Sequence, residues 1–196
     1  GSEMCIRDSG CWTEAASLWN VAIAEDSVTP MTYYYLGWCL VQGKLSGAEQ
    51  AFADAANACP DYCFPNCLEA ILALQCAMEQ NPNDAKAPYY LGNLYYDKRQ
   101  YDLALEAWET SAGLDDKFPT IWRNLALANF NKKDDEATAI EYMERAFQLD
   151  TTDARVLMEL DQLYKRVRRP HSERLVFLQQ YPELIAQRDD LCLLYT

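Results

Sequence analysis

The sequence predicts an all-α fold, a solenoid built from antiparallel helix pairs. Three observations lead there. Two short sequence marks recur at intervals of 33 to 35 residues. The 196 residues contain only 7 glycines and 8 prolines, too few for a chain of many β-hairpins. Half of the residues are apolar and 24% are charged, which allows a buried core and excludes a disordered polar tail.

The first mark is a Leu-Gly-like pair inside an aromatic helix, and the second is a small residue followed four positions later by a bulky one. Along the chain, Ala15/Trp19 opens the series as a second mark. Leu36-Gly37 with Ala48/Phe52 forms the next helix pair, and Ala70/Leu74 follows only 22 residues after Phe52, so this unit has lost most of its first helix. In Ala85–Lys98 the residues Pro88, Leu91, Gly92 and Tyr95 fall at i, i+3, i+4, i+7, one face of a helix. Its partner, Tyr101–Gly113, puts Ala104, Trp108 and Ser111 on an inner face. The short link Asp97–Gln100 makes the two antiparallel. A glycine in a helix costs about 1 kcal/mol, so Gly92 needs a reason. The expected one is close backbone approach by the partner helix, with no side chain between. Asp84 and Asp153 are placed to cap the helices after them, and Pro119 to start another. Leu125-Ala126 with Ala139/Met143 continues the series, one residue longer before Ala139. Arg155–Lys165 with Glu173–Gln180 closes it as a unit lacking the small residues, with Leu160-Asp161 at the first mark.

Pro88-Tyr89-Tyr90-Leu91-Gly92 with Tyr95, Ala104 and Trp108 resembles the tetratricopeptide repeat, W-x2-L-G-x2-Y…A-x3-F…P. Trp122, Leu125, Ala139 and Ala146 match a following unit, and Tyr33, Leu36, Gly37, Ala48, Phe52, Ala55 and Pro60 an earlier one. The resemblance implies a right-handed solenoid with units of about 10–30, 31–60, an abridged 61–84, 85–118, 119–152 and 153–187. Narrower segments (APYYLGNLYYDKRQY, WRNLALANFNK, DARVLMELDQLYKR, QRDDL) are similar to repeat arrays of long bacterial proteins. In those, a β-sandwich domain of carbohydrate-processing type precedes the array. That likeness implies an alternative role, a structural arm that positions or dimerises such a domain, with a possible contact to it.

The family resemblance also implies a concave, peptide-binding groove lined by the first helix of each unit. Here it would hold Tyr34, Tyr35, Trp38, Tyr89, Tyr90, Asn93, Tyr96, Arg123, Asn124, Arg155, Glu159 and Gln162. Independently of the family, Tyr89, Asn93 and Tyr96 form a second face on a helix whose first face is already packed. Such a face either meets the next repeat or awaits a ligand. Some members clamp a C-terminal carboxylate. Asn93, Asn124 and Arg155 match three of those positions, but Tyr89 and Glu159 replace cations, and an acidic Glu159 would repel the ligand. The expected function is a non-catalytic scaffold that binds a protein or peptide segment in a Tyr/Asn-lined groove, the ligand neutral to basic.

Lys plus Arg number 17 against 30 Asp plus Glu, a net charge of −13 that argues against nucleic acid and anionic membranes as partners. The longest uncharged stretch, Ser27–Gly43, has 17 residues and is too short to span a bilayer. The carboxy-terminal stretch alone is neutral. There Lys165, Arg166, Arg168, Arg169, His171 and Arg174 read either as the solvated end of a helix or as an anion-binding patch. Cys59, Cys63, Cys67 and Cys76 read as small buried packing residues. Pro60 and Pro65 interrupt any helix that would align them for a metal, and CxxxCxxxC is not a usual zinc spacing. Free thiols suit a reducing, cytoplasmic setting. Asp115-Asp116, Asp134-Asp135 and Asp189-Asp190 fall in turns or caps, no phosphate loop is present, and the lone histidine has no orienting partner. No enzyme, cofactor or metal is expected. Gly1–Ser9 and Leu191–Thr196 fit no periodic pattern and read as non-native tails, like translated sequencing-adapter sequence, with 188–196 starting a further unit. On that reading the chain is an internal piece of a longer protein, and Cys5 and Cys192 are accidental.

Overall fold

The computed structural model describes residues 10–25, 28–60 and 63–188. The tails expected to be non-native, with Cys5, Cys192 and Asp189-Asp190, lie outside the described residues. Every regular element among the described residues is helical. The chain divides into two compact units, Gly1–Leu114 and Asp115–Thr196.

In the first unit the helices are α1 (Trp12–Ala24), α2 (Pro30–Gln42), α3 (Ala48–Asn57), α4 (Glu69–Gln80), α5 (Lys86–Asp97) and α6 (Tyr101–Leu114). Consecutive helices α2/α3 and α5/α6 form the two tightest pairs, while α1 packs on α2. Alanines make the close approaches: Ala15, Ala16 and Ala51 are buried with Leu36 and Cys39, under Trp12, Trp19 and Leu40. Between Asn57 and Glu69 the described residues form no helix, and α4 packs against both α2 and α5. Phe52 and Leu74, 22 residues apart, thus stand on helices with no other helix between them among the described residues.

Gly37 and Gly92 both face the aromatic of the second mark, and here the expectation needs correcting. A Cβ on Gly37 would come within 2.6 Å of the Phe52 ring, and one on Gly92 within 2.5 Å of Trp108 Nε1. A side chain does stand between the helices. The aromatic of the second mark fills the space that the glycine of the first mark vacates, which is why the two marks recur together.

The second unit contains α7 (Pro119–Ala128), a π-helical turn (Asn129–Lys133), α8 (Glu136–Leu149), α9 (Ala154–Arg166), α10 (His171–Leu178) and α11 (Pro182–Ala186). Met143, Ala146, Leu157, Leu160 and Leu178 form its core, joined by Ala126. The π turn lies in the stretch between Ala126 and Ala139 that is one residue longer than in the preceding repeat. Asp153 caps α9 by accepting from the N–H groups of Arg155 (2.8 Å) and Val156 (3.1 Å), and Pro119 begins α7.

The turns between paired helices share one device. Lys44, Arg99, Asp134 and Arg168 all adopt left-handed backbone, with φ of 53°, 61°, 53° and 60°. At three of them the chain closes a Schellman motif. Arg99 N donates to Tyr96 O and Gln100 N to Tyr95 O, and the same pair of bonds recurs after Lys44 and Arg168.

Candidate functional site

The twelve residues expected on the groove fall into two sets, one in each unit. In the first unit four of them, Tyr34, Trp38, Tyr89 and Tyr90, are buried, contrary to the expectation that they line a groove. Tyr34 is fully buried, and its hydroxyl donates to Asp84 Oδ2 at 2.7 Å. The other oxygen of Asp84 accepts from the N–H groups of Lys86 (2.8 Å) and Ala87 (3.3 Å), so one carboxylate both starts α5 and ties Tyr34 of α2 to it. Burial pushes the Asp84 carboxyl above its usual range, partly offset by those hydrogen bonds, and pushes the Tyr34 phenol upward too. Tyr90 is also fully buried, with its ring 6.0 Å from that of Tyr34. Its hydroxyl makes no hydrogen bond of ordinary geometry, and the buried Cys63 thiol is a polar neighbour. Tyr34 and Tyr90 therefore do not line a surface: their rings meet each other in the interior of the first unit.

Trp38 is buried edge-on against Trp12 at 5.5 Å, and Tyr89 is 7% exposed, tilted against Tyr90 at 5.2 Å. Tyr35 is half-buried. It stacks on Trp19 at 5.1 Å, and its hydroxyl is in hydrogen-bond contact with Cys67 Sγ at 2.9 Å. Asn93 is half-buried, and its Oδ1 accepts from Trp108 Nε1 at 3.1 Å. Tyr96, also half-buried, sits 5.2 Å from the Tyr101 ring and 5.4 Å from the Trp108 ring. The surface of this set is thus carried by Tyr35, Asn93 and Tyr96.

In the second unit the expected residues meet. Arg123 of α7 donates from Nε to Glu159 Oε2 and from a terminal nitrogen to Oε1, both at 2.5 Å. Arg155 Nε donates to the same Glu159 Oε1 at 3.1 Å. The side chains of Arg123 and Glu159 are 15% and 13% exposed, while that of Arg155 is 63% exposed. Two guanidiniums on one carboxylate leave this cluster with a formal charge of +1. The acidic repulsion expected of Glu159 is answered within the protein. Asn124 is half-buried and Gln162 exposed on the same two helices.

Other groups were not legible as partners. Asp161 and Arg174 form a buried pair, Nε to Oδ1 at 2.8 Å and a terminal nitrogen to Oδ2 at 2.6 Å. A charge at the Gly/Ala position of a repeat was the available signal, since a buried carboxylate needs a cation. The carboxy-terminal basic cluster is correspondingly dispersed. Arg174 is internal, and Arg169 lies over the Tyr164 ring at 3.7 Å, near Glu144 at 3.8 Å. Arg166 lies over Phe130 at 5.1 Å, and Lys165, Arg168 and His171 are exposed. Of the four cysteines expected to be buried, Cys63 and Cys76 are, and burial raises both thiols above their usual range, but Cys59 is exposed and Cys67 half-buried. Among the described residues no three His, Cys, Asp or Glu side chains are grouped to hold a metal, and no helix is long and apolar enough to cross a membrane.

Residues 66–112 and 89–154 match the family model described as tetratricopeptide repeat. Among solved structures, the chain is similar to MamA, with a TM-score of 0.55 at 15% identity over 95% of this chain and 96% of that one. MamA from Desulfovibrio magneticus RS-1 gives 0.53 at 19% identity, covering 95% and 93%. PilF of Pseudomonas aeruginosa gives 0.52 at 18% identity, covering 94% of this chain and 72% of PilF. At these identities the likeness is one of fold.

Proposed function

We propose that this all-α run of tetratricopeptide repeats is a non-catalytic scaffold that holds a segment of another protein against the outward faces of its first helices. The observation that carries this reading is the Arg123–Glu159–Arg155 cluster. It joins first helices of successive repeats, α7 and α9, through a carboxylate that accepts from both arginines. Glu159 orders Arg155 at one end while the rest of that side chain is open to solvent, so little freedom remains to be lost on binding. Beside it Gln162 offers an amide with both donor and acceptor. Donors predominate there, which suits the carbonyl oxygens of an extended segment. The first unit, taken by itself, offers Asn93 and Tyr96, an amide and an aromatic ring three residues apart on α5, a combination suited to a peptide backbone and an apolar side chain. The net charge of −13 favours a partner that is neutral to basic as a whole. The arm role for an attached carbohydrate-processing domain is supported by sequence likeness alone.

The test begins with a peptide selected from a random display library against the full chain. That peptide is then titrated by calorimetry against the wild type and against Arg155→Ala/Gln162→Ala. Both positions are exposed, so helix content should be retained. The expected loss is about tenfold or more, or ~1.4 kcal/mol. An unchanged affinity would count against the first-helix face of the second unit.

A further inference from the structure

Two aspartates are buried among the described residues, and their surroundings differ. Asp161 is met by the Arg174 guanidinium, a cation that is itself buried. Asp84, 3% exposed, is met by neutral donors. The Tyr34 hydroxyl serves Oδ2, and the N–H groups of Lys86 and Ala87 serve Oδ1. The titratable groups that face it are Tyr34 of α2 and Tyr90 and Lys86 of α5, with the Cys63 thiol beside the two phenols. Lys86 is the one cation among these, and its ammonium is engaged elsewhere: Nζ donates to Ala58 O, at the end of α3, at 2.6 Å. A carboxylate withdrawn from water without a paired cation is costly, and such a group tends to take up a proton instead. The neutral acid also fits the site. Its Oδ1 still accepts from both N–H groups, and a proton on Oδ2 can be donated to Tyr34 Oη. The Tyr90 hydroxyl, which has no hydrogen bond of ordinary geometry, and the Cys63 thiol are then the neutral polar neighbours of the displaced Tyr34 O–H.

We propose that Asp84 is an acid-responsive latch of the first unit, taking up a proton while α2 and α5 stay docked and thereby tightening the hold between them. A proton bound by the folded chain, at a pH where the unfolded chain remains ionised, adds stability. That gain is complete below about pH 3.9, the ordinary aspartate value. It is lost as the pH rises through the value of the folded Asp84, which burial holds above the usual range. The latch therefore tightens on mild acidification, while exposed carboxylates are still charged. Its place in the fold gives it reach, because Asp84 starts α5, the helix that carries Asn93 and Tyr96. It uses none of the residues of the Arg123–Glu159–Arg155 cluster, so either reading can fail without the other.

The test uses the full chain. In the folded wild type, the Asp84 carboxyl carbon followed by NMR should titrate at higher pH than the exposed aspartates. Tyr34→Phe removes one donor to the charged form and should move that titration higher still. Asp84→Asn imitates the neutral acid, and asparagine caps a helix about as well as aspartate does. Urea unfolding of Asp84→Asn and of the wild type, followed by tryptophan fluorescence between pH 7 and pH 4, gives a folding constant for each. The ratio of variant to wild type should be largest at pH 7 and fall toward pH 4. The fall should be about tenfold for each pH unit that separates Asp84 from an ordinary aspartate. The first measurement is made on the wild type, so it stands even where Asp84→Asn does not fold. Three results overturn the proposal: a carboxyl carbon that titrates together with the exposed aspartates, a ratio of folding constants that does not change with pH, or a titration that Tyr34→Phe leaves unmoved. The last would sever the latch from α2.

Discussion

Gly92 and Gly113 are both helical glycines of the first unit, yet they stand in opposite circumstances. At Gly92 an added methyl would strike the indole of Trp108, which is itself 3% exposed and holds its N–H on Asn93. At Gly113, exposed near the end of α6, nothing lies within 4 Å of the same methyl. Replacing glycine by alanine gains up to about 1 kcal/mol of helix propensity in either place. Forcing a methyl into a packed aromatic contact costs about 1–3 kcal/mol. Gly92→Ala should therefore be destabilised and Gly113→Ala stabilised by up to ~1 kcal/mol. Urea unfolding of both variants checks the pair of signs. A Gly92→Ala variant as stable as the wild type would mean that the indole moves aside freely, and the glycine–aromatic match would lose its role.

At the scale of the helix pair, the same position is solved in several ways. Gly37 accommodates Phe52, Gly92 accommodates Trp108, and Ala126 shares a core with Met143, a longer and more adaptable side chain. In α9 the position holds Asp161, and α10 answers with Arg174, both nearly inaccessible. A buried ion pair is costly to desolvate and costlier to break on one side. Arg174→Met alone should lose about 3–5 kcal/mol. The double variant Asp161→Ala/Arg174→Met, which replaces both members of the ion pair by apolar side chains, should recover most of that in thermal unfolding. A double variant no better than the single one would show that the pair sets the geometry of α9 and α10 rather than filling it.

Part of this architecture is legible in the sequence. The 34-residue period, the caps at Asp84 and Asp153 and the start at Pro119 are local, and local chemistry is written in adjacent residues. Arg123, Arg155 and Glu159 share a face because positions one repeat apart on successive first helices do. The burial of Tyr34 and Tyr90 is not legible in the same way, because it rests on contacts between distant helices, the ring pair itself and the Tyr34 bond to Asp84, fifty residues along the chain. The burial of Arg174 is hidden from the sequence because its partner, Asp161, lies thirteen residues away on another helix, beyond any single-helix pattern.

For the whole molecule, the division into Gly1–Leu114 and Asp115–Thr196 carries its own consequence. Each unit has a core of its own. Tyr34, Phe52, Leu74, Tyr90 and Leu94 are fully buried in the first, and Met143, Leu157 and Leu160 in the second. Repeat proteins hold together through neighbour contacts, so a stretch of several stacked helices can fold without the remainder. A chain ending at Leu114 should then retain a helical far-UV spectrum and a cooperative melt. The full chain offers an independent measure, because Trp12, Trp19, Trp38 and Trp108 lie in the first unit and Trp122 in the second. In Arg174→Met, helix content should begin to fall at lower urea than the fluorescence of the four first-unit tryptophans. A single coincident transition in that variant, together with a coil spectrum for the shortened chain, would mean that the two units fold only as one.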